Sequence, residues 1–244
     1  MRLNAGILII GSLLWADDKI RQQWRNERLD CNQSELVSAP IRYGRLSGKR
    51  RGHTYTMVFS RSAPAGHARI VRCSHVISSA DDLTTEALCL WEAEELLKNT
   101  GRIANPRWGC VALLCNPKRR IPEDLLKEWA QRVEREEGYG NVRQTPDEGT
   151  LINKNGMLQI DWPCCVTGGV RAPVDLDLLL VSANDPTLTG APLSYPSIEA
   201  VVSAWNGAAP EHAEYFWKNR EHGITTYQDD KIQTGLRPRQ QERP

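Results

Sequence analysis

The pattern of apolar and polar positions predicts a strand, a loop and a helix at the start of the chain. Residues 5–14 are almost continuously apolar, and so short a run favours a strand that is buried on both faces. The run stops at Gly11-Ser12. Asp17 then predicts the N-cap of a helix over residues 18–28, in which apolar side chains four positions apart share one face.

Several short strands are predicted next. Residues 35–47 and 53–60 have the composition and alternation of strands and are joined by a basic turn, and residues 68–74 predict a third strand. Short strands in succession favour a small mixed β-barrel or a curved sheet over a doubly wound fold. We therefore expect an α+β protein with helices flanking such a sheet.

Further elements follow from the same patterns. Residues 82–99 predict a helix with Gly101 just beyond its end, and residues 108–115 predict another apolar strand. Pro122 opens a second clear helix. After residue 138 the pattern weakens to a strand over residues 176–181 and a short helix over residues 198–205.

The same weakening suggests how the chain is organised. With 244 residues, one main domain is the default. We expect a core over residues 1–138, an extension packed on that core over residues 139–234, and a mobile tail over residues 235–244, which lacks apolar periodicity.

Composition argues against several function classes. Lysine and arginine number 31 against 30 aspartates and glutamates, so the formal net charge of +1 does not favour nucleic acid or an anionic membrane. The seven cysteines have no regular spacing, which argues against a disulfide framework. The first apolar run is too short to span a bilayer and lacks a signal-peptide cleavage pattern. We expect a cytoplasmic protein.

One carboxylate stands out on the helix predicted from Leu83 onward. On a helical wheel Leu83, Ala87, Leu90 and Leu97 form one stripe, and Glu94 falls at its centre. The other acids of the run fall beside or opposite the stripe, where solvated charges belong: Glu86, Glu92 and Glu95. An inward carboxylate must be paired, hydrogen-bonded or protonated, and it is a candidate for proton transfer. The alternatives are a structural ion pair with an arginine and a helix end that exposes Glu94.

Two further segments are candidate binding sites. The Gly11-Ser12 pair offers backbone N–H groups and a hydroxyl to a carboxylate or phosphate, although an ordinary tight turn has the same sequence. The basic turn carries five cations with Tyr43 and Tyr55 nearby, and it suits an acidic ligand, nucleic acid or simply solvent. Those five cations are Arg42, Arg45, Lys49, Arg50 and Arg51.

Metal and cofactor motifs are lacking. Asp175 and Asp177 share one face of a strand without a third ligand at suitable spacing, and Cys164-Cys165 lack a second cysteine pair. The sequence has neither a dinucleotide-binding glycine motif nor a phosphate-binding loop of the Walker type. We therefore expect no metal and no organic cofactor.

A strand ending in Gly-Ser-Leu, followed by several strands and a helix with an inward glutamate, resembles the γ-glutamylcyclotransferase-like family over roughly the first half of the chain. In that family Tyr-Gly-Ser, followed by Asn or Leu, ends the first strand of a small mixed barrel. Here the segment reads Ile10-Gly11-Ser12-Leu13, with Ile10 in the place of the tyrosine. The family's catalytic glutamate follows a later strand, and Glu94 is the better match, with Glu92 as the fallback.

The resemblance implies an enzyme that converts a γ-glutamyl or related amino-acyl amide to a cyclic lactam and a free amine. The N–H groups around Gly11, Ser12 and Leu13 would bind a carboxylate of this small, amino-acid-like substrate. Glu94 would accept a proton from its ammonium and return it to the departing amine. Tyr43, Arg45 and Tyr55 are the remaining candidate substrate-binding residues.

A non-catalytic interaction module is the alternative function. It would bind nucleic acid or a protein partner through the basic turn, with some of the eight tryptophans contributing. The near-zero net charge places nucleic acid second.

Overall fold

The computed structural model describes residues 2–48, 52–137, 139, 150–166, 172–191 and 193–237. These residues form six helices and nine strands, which confirms the predicted α+β class. In chain order the elements are β1 (Ala5–Ile9), α1 (Lys19–Arg28), β2 (Leu29–Leu46), β3 (Tyr55–Phe59), β4 (Ala65–Cys73), α2 (Ala80–Glu95), β5 (Ala104–Asn105), β6 (Gly109–Cys115), α3 (Glu123–Glu134), β7 (Cys164–Cys165), β8 (Ala172–Pro173), β9 (Leu178–Asn184), α4 (Ile198–Gly207), α5 (Pro210–Glu221) and α6 (Asp229–Gly235).

The strands belong to one mixed sheet. Its order is β5-β6-β9-β1-β4-β2-β7-β8, with β3 paired to β2. β1 is central and lies antiparallel to β4 and parallel to β9, with Leu8 beside Val181 at the last paired position. The other pairs between named strands are antiparallel.

The closed barrel allowed by the sequence is wrong for the described strands, which form an open sheet. β2 pairs with β4 as far as Pro40 and then changes partner to β3 from Ile41 onward. The two ends of the sheet order are β5 and β8, each two residues long, and they pair with β6 and β7 rather than with each other. Short edge strands of this kind end a sheet because they offer few free backbone groups for further pairing.

The sheet crosses the predicted boundary between core and extension. β9 lies in the segment expected to be the extension, yet it is inserted between β1 and β6. The sheet is therefore incomplete without residues from the second half of the chain. Residues 138 and 140–149, around that boundary, lie outside the described part.

The first residues of the predicted tail contact the rest of the protein. The Asn206 side chain donates to the carbonyl of Gly235 over 2.9 Å and accepts the N–H of Arg237 over 2.9 Å. Leu236 packs against the core between them. These contacts dock residues 235–237, while residues 238–244 lie outside the described residues.

α1 and α2 begin or end at other residues than predicted, because other residues cap them. Asp18, not Asp17, caps α1 by accepting the N–H of Arg21 over 3.0 Å. Ser79 caps α2 through a capping box with Asp82. α2 then ends at Glu95 instead of near residue 99, because Leu96 adopts a left-handed conformation with φ of 58°. α5 and α6 were not predicted.

The helices pack in two groups. α2 contacts α1, α3 and the strands β6 and β9, and its Trp91 is fully buried and stacks on Trp108 at 4.5 Å between ring centroids. α4 packs on β3 and also contacts α5 and α6. In the described part of the chain, none of the helices combines the length and the apolar character needed to cross a membrane.

Candidate functional site

A small cavity lies at the edge of the sheet where β1 and β9 both end. Because these strands are parallel neighbours, their carboxyl ends meet there, which is where open α/β sheets commonly bind ligands. The cavity has a volume of about 30 Å³. β1 and its following loop, β3, α2, β9 and α5 supply its lining: Leu8, Ile9, Ile10, Gly11, Ser12, Leu13, Thr56, Met57, Glu94, Ser182, Asn184 and Tyr215.

The loop after β1 is a single helical turn with free donors. The N–H of Leu14 donates to the carbonyl of Gly11 over 3.2 Å, and the N–H of Ala16 donates to the carbonyl of Ser12 over 2.8 Å. The N–H groups of Ser12 and Leu13 precede these bonds and have no acceptor among the described residues. Consecutive unpaired N–H groups of this kind can hold an anion.

Arg25 of α1 holds this loop in place. Its guanidinium donates to the carbonyl of Leu13 over 2.7 Å and to the carbonyl of Ala16 over 2.5 Å. Burial lowers the pKa of the Arg25 guanidinium from its ordinary value. The charge-assisted bonds fix the carbonyl side of the turn and leave its first N–H groups unoccupied.

Glu94 lies on the wall of the cavity at the end of the buried stripe of α2. Leu83, Ala87 and Leu90 of the stripe are buried, as the wheel predicts, and Glu94 is half-buried. Its carboxylate has neither an ion pair nor a hydrogen bond among the described residues. Leu97, which the wheel also placed on the stripe, is exposed because the helix ends before it.

The most buried carboxylate of α2 is Glu86, which the sequence placed with the solvated acids. Only 1% of its surface is exposed, and the guanidinium of Arg28 binds both carboxylate oxygens. Glu86 borders the buried stripe, and the last turn of α1 covers it there. The structural ion pair considered for Glu94 therefore belongs to Glu86. Glu92, the fallback for catalysis, is half-buried and does not line the cavity.

Two polar side chains of β9 line the cavity without partners. Ser182 and Asn184 are two positions apart and so project from the same face of the strand. Ser182 is only 6% exposed. Ser182 Oγ and Asn184 Oδ1 are buried and make no hydrogen bond in the described part of the chain. Buried polar atoms normally have partners, so these two mark a place for a polar ligand.

Tyr215 of α5 forms the remaining wall. A Cβ atom added at Gly11 would lie 2.6 Å from the Tyr215 hydroxyl oxygen, so a larger residue at this position would require Tyr215 to shift. The N–H of Met57 donates to the same oxygen over 3.4 Å. The Tyr215 ring stacks on Trp205 at 5.8 Å.

The other predicted binding residues do not line this cavity. Tyr43 is fully buried, and its burial raises the pKa of its phenol well above the ordinary value. Tyr55 is also buried. Arg45 donates to the carbonyl of Trp108 over 3.0 Å and lies 5.3 Å from its ring.

Part of the basic turn packs against other parts of the protein. The Arg42 guanidinium lies 4.1 Å from the ring of Tyr195, so Arg42, like Arg45, contacts other parts of the chain. Lys49, Arg50 and Arg51 lie outside the described residues. In the described ranges, no group of three or more His, Cys, Asp and Glu side chains is arranged to hold a metal ion.

Some lining residues had only weak signals in the sequence. Ser182 and Asn184 interrupt the apolar run of β9 with a period of two, which indicates a polar strip on one face. Tyr215 had no such signal, because α5 was not predicted.

The lining of the cavity includes both donors and acceptors. The Ser12 and Leu13 N–H groups suit a carboxylate, whereas the oxygens of Glu94, Asn184 and Ser182 suit an ammonium group. The cavity thus has the polarity of a site for a small zwitterion. Comparison with family models, curated proteins and solved structures finds no match for this chain.

Proposed function

We propose that this chain is a γ-glutamylcyclotransferase-like enzyme that converts a γ-glutamyl amide, or a related amino-acyl amide, to a cyclic lactam and a free amine. One observation carries the proposal: a single cavity is lined both by the Gly11-Ser12-Leu13 loop and by the half-buried, unpaired Glu94. These are the two features on which the resemblance to that family rests.

The two charged groups of the substrate would bind to different residues of the cavity lining. The substrate's α-carboxylate accepts the N–H groups of Ser12 and Leu13. Its α-ammonium faces the Glu94 carboxylate, with Ser182 Oγ and Asn184 Oδ1 as further acceptors. This pairing would give partners to Ser182 Oγ and Asn184 Oδ1, the two buried oxygens of the cavity that lack them among the described residues.

The reaction is a proton transfer followed by ring closure. Glu94 takes a proton from the ammonium, and the freed amine attacks the side-chain carbonyl carbon of the same substrate. The new C–N bond closes a five-membered lactam as the bond to the departing amine breaks. Glu94 gives this first proton to the departing amine and takes the second proton from the ring nitrogen, which leaves a neutral lactam. The second proton leaves with the amine as an ammonium ion, so the step balances without a co-reactant.

A tyrosine hydroxyl at the cavity also supports the proposed relationship to this family. Ile10 stands where the family has its motif tyrosine, and it lines the cavity with an apolar side chain. Tyr215 brings a hydroxyl group to this cavity from α5. In this proposal a tyrosine from a different element accompanies the loop and the glutamate that resemble those of the family.

The test is lactam formation from a panel of γ-glutamyl dipeptides and γ-glutamyl anilides, with 5-oxoproline measured by mass spectrometry. We expect Glu94→Gln to lower turnover by at least about 100-fold, the usual contribution of a general base. Glu92→Gln is the matched control, since it changes the same group on the same helix outside the cavity. Unchanged turnover in folded Glu94→Gln protein would contradict the catalytic role of Glu94.

A further inference from the structure

The cavity is too small for the substrate that its polarity suits. About 30 Å³ holds one or two water molecules, whereas pockets for small molecules occupy about 300–1,000 Å³. A γ-glutamyl head group therefore requires one wall to move. Five elements contribute to the lining, and they differ in how firmly they are held.

Four of these elements are held firmly. β1 and β9 are central strands of the sheet, and β3 pairs with β2 along its whole length. α2 packs between two other helices and the sheet. α5 is different, because it covers the cavity from outside the sheet through Tyr215.

The docking of α5 leaves buried polar groups unmatched. Asn219 of α5 is fully buried, yet its Nδ2 has no partner among the described residues. The same holds for the hydroxyl of Tyr43, whose ring lies 6.3 Å from Phe216 of α5. Each unmatched group disfavours the docked position. In the described part of the chain no backbone–backbone hydrogen bond joins α5 to a strand, so lifting α5 breaks side-chain contacts and leaves the sheet paired.

The short segments at both ends of α5 can act as hinges, because the chain beyond each segment is held by other elements. Ala208 and Ala209 are extended and link α5 directly to α4. Gly223 follows α5 with φ of 75°, a conformation natural to glycine. Beyond it, Thr225 exchanges backbone hydrogen bonds with His67 of β4. The segments on either side therefore stay in place when α5 moves.

We propose that α5 is a lid over the cavity, with Tyr215 as the group that closes it. When α5 lifts, Tyr215 leaves Gly11 and the cavity opens to an amino-acid-sized ligand. When it closes, water is excluded from the loop and Glu94. The purpose of this motion rests on the proposed function, but the motion itself is testable without substrate.

The test uses a thiol inside the cavity as a reporter of access. S182C places a thiol on the cavity wall, and its alkylation by iodoacetamide is followed by mass spectrometry of the peptide that contains position 182. We expect labelling to be slow in the otherwise unchanged chain and at least about tenfold faster with Tyr215→Ala. Tyr227→Ala is the matched control, because Tyr227 is exposed and does not line the cavity.

Equal labelling rates with and without Tyr215→Ala would overturn the lid. If Tyr215→Ala fails to fold, hydrogen exchange of the unchanged protein decides the matter. A lid requires the α5 amides to exchange faster than those of β9, and equal protection of the two elements contradicts it. Neither measurement needs catalysis, so a chain that makes no lactam but shows a mobile α5 contradicts only the proposed function.

Discussion

Trp15 Nε1 donates a 2.8 Å hydrogen bond to Asn219 Oδ1, which joins the loop after β1 to α5 across 204 positions of sequence. Lys218 adds a cation–π contact, with its ammonium 5.3 Å from the Trp15 ring. The Tyr215 and Trp15 ring centroids are 6.0 Å apart. Trp15 thus links the loop after β1 directly to α5.

Trp15→Phe should weaken this connection. The change removes the indole donor and leaves both polar atoms of the buried Asn219 amide without partners. We expect the free energy of unfolding to fall by about 1–3 kcal/mol, measured by urea denaturation. In an Asn219→Leu background the same change should cost much less. Equal costs in the two backgrounds would show that the bond contributes nothing.

Gly11→Ala should clash with Tyr215. The added methyl group would lie 2.6 Å from the hydroxyl oxygen, but the next atom of that side chain is 3.5 Å away, an ordinary contact distance. We expect a loss of about 1–3 kcal/mol in unfolding free energy, typical of overpacking. Tyr215→Phe removes the clashing oxygen and should restore most of that loss. A double mutant no more stable than Gly11→Ala alone would place the strain elsewhere.

Glu86→Gln should lower the free energy of unfolding without lowering turnover. Removing the charge leaves the Arg28 guanidinium without its carboxylate partner in a partly buried place. Breaking a fully buried pair costs about 3–5 kcal/mol, and since Arg28 is 22% exposed we expect about 2 kcal/mol. Turnover of the folded protein should match that of wild type. A selective loss of turnover would show that Glu86 takes part in the reaction.

Asp229 should make stability depend on pH. Burial raises the pKa of its carboxyl group above the ordinary 3.8, so the ionised form is less favourable in the folded than in the unfolded chain. Its contribution to stability is therefore fully present below pH 3.8 and is lost as pH rises through the folded-state pKa. Asp229→Asn should remove this loss above pH 3.8. Parallel pH profiles of urea unfolding for the two proteins would contradict the assignment.

Strong local patterns were enough to predict several parts of the site. The unbroken apolar run that forms β1 stops at Gly11, where the strand gives way to the turn. The wheel assigns Glu94 to the inward face of α2, and the structure places it at the cavity wall. These features depend on residues close together in sequence, so periodicity reveals them.

Long-range contacts explain most of what the sequence did not predict. The burial of Glu86 depends on Arg28 from another helix, and the closure of the cavity depends on Tyr215 from the end of the chain. The early end of α2 is a local exception. Leu96 adopts the left-handed conformation usually taken by glycine, so composition placed the stop at Gly101 instead.

The central position of β9 sets the order in which the molecule is completed. Ala5 of β1 is synthesised well before its parallel partner Leu178, which follows it in the sequence. Until β9 arrives, the nascent chain carries β1 with one unpaired edge, a surface on which other chains can aggregate. Such distant pairing also predicts slow folding. A fragment that ends at residue 138 would therefore have an incomplete sheet and a cavity without Ser182 and Asn184.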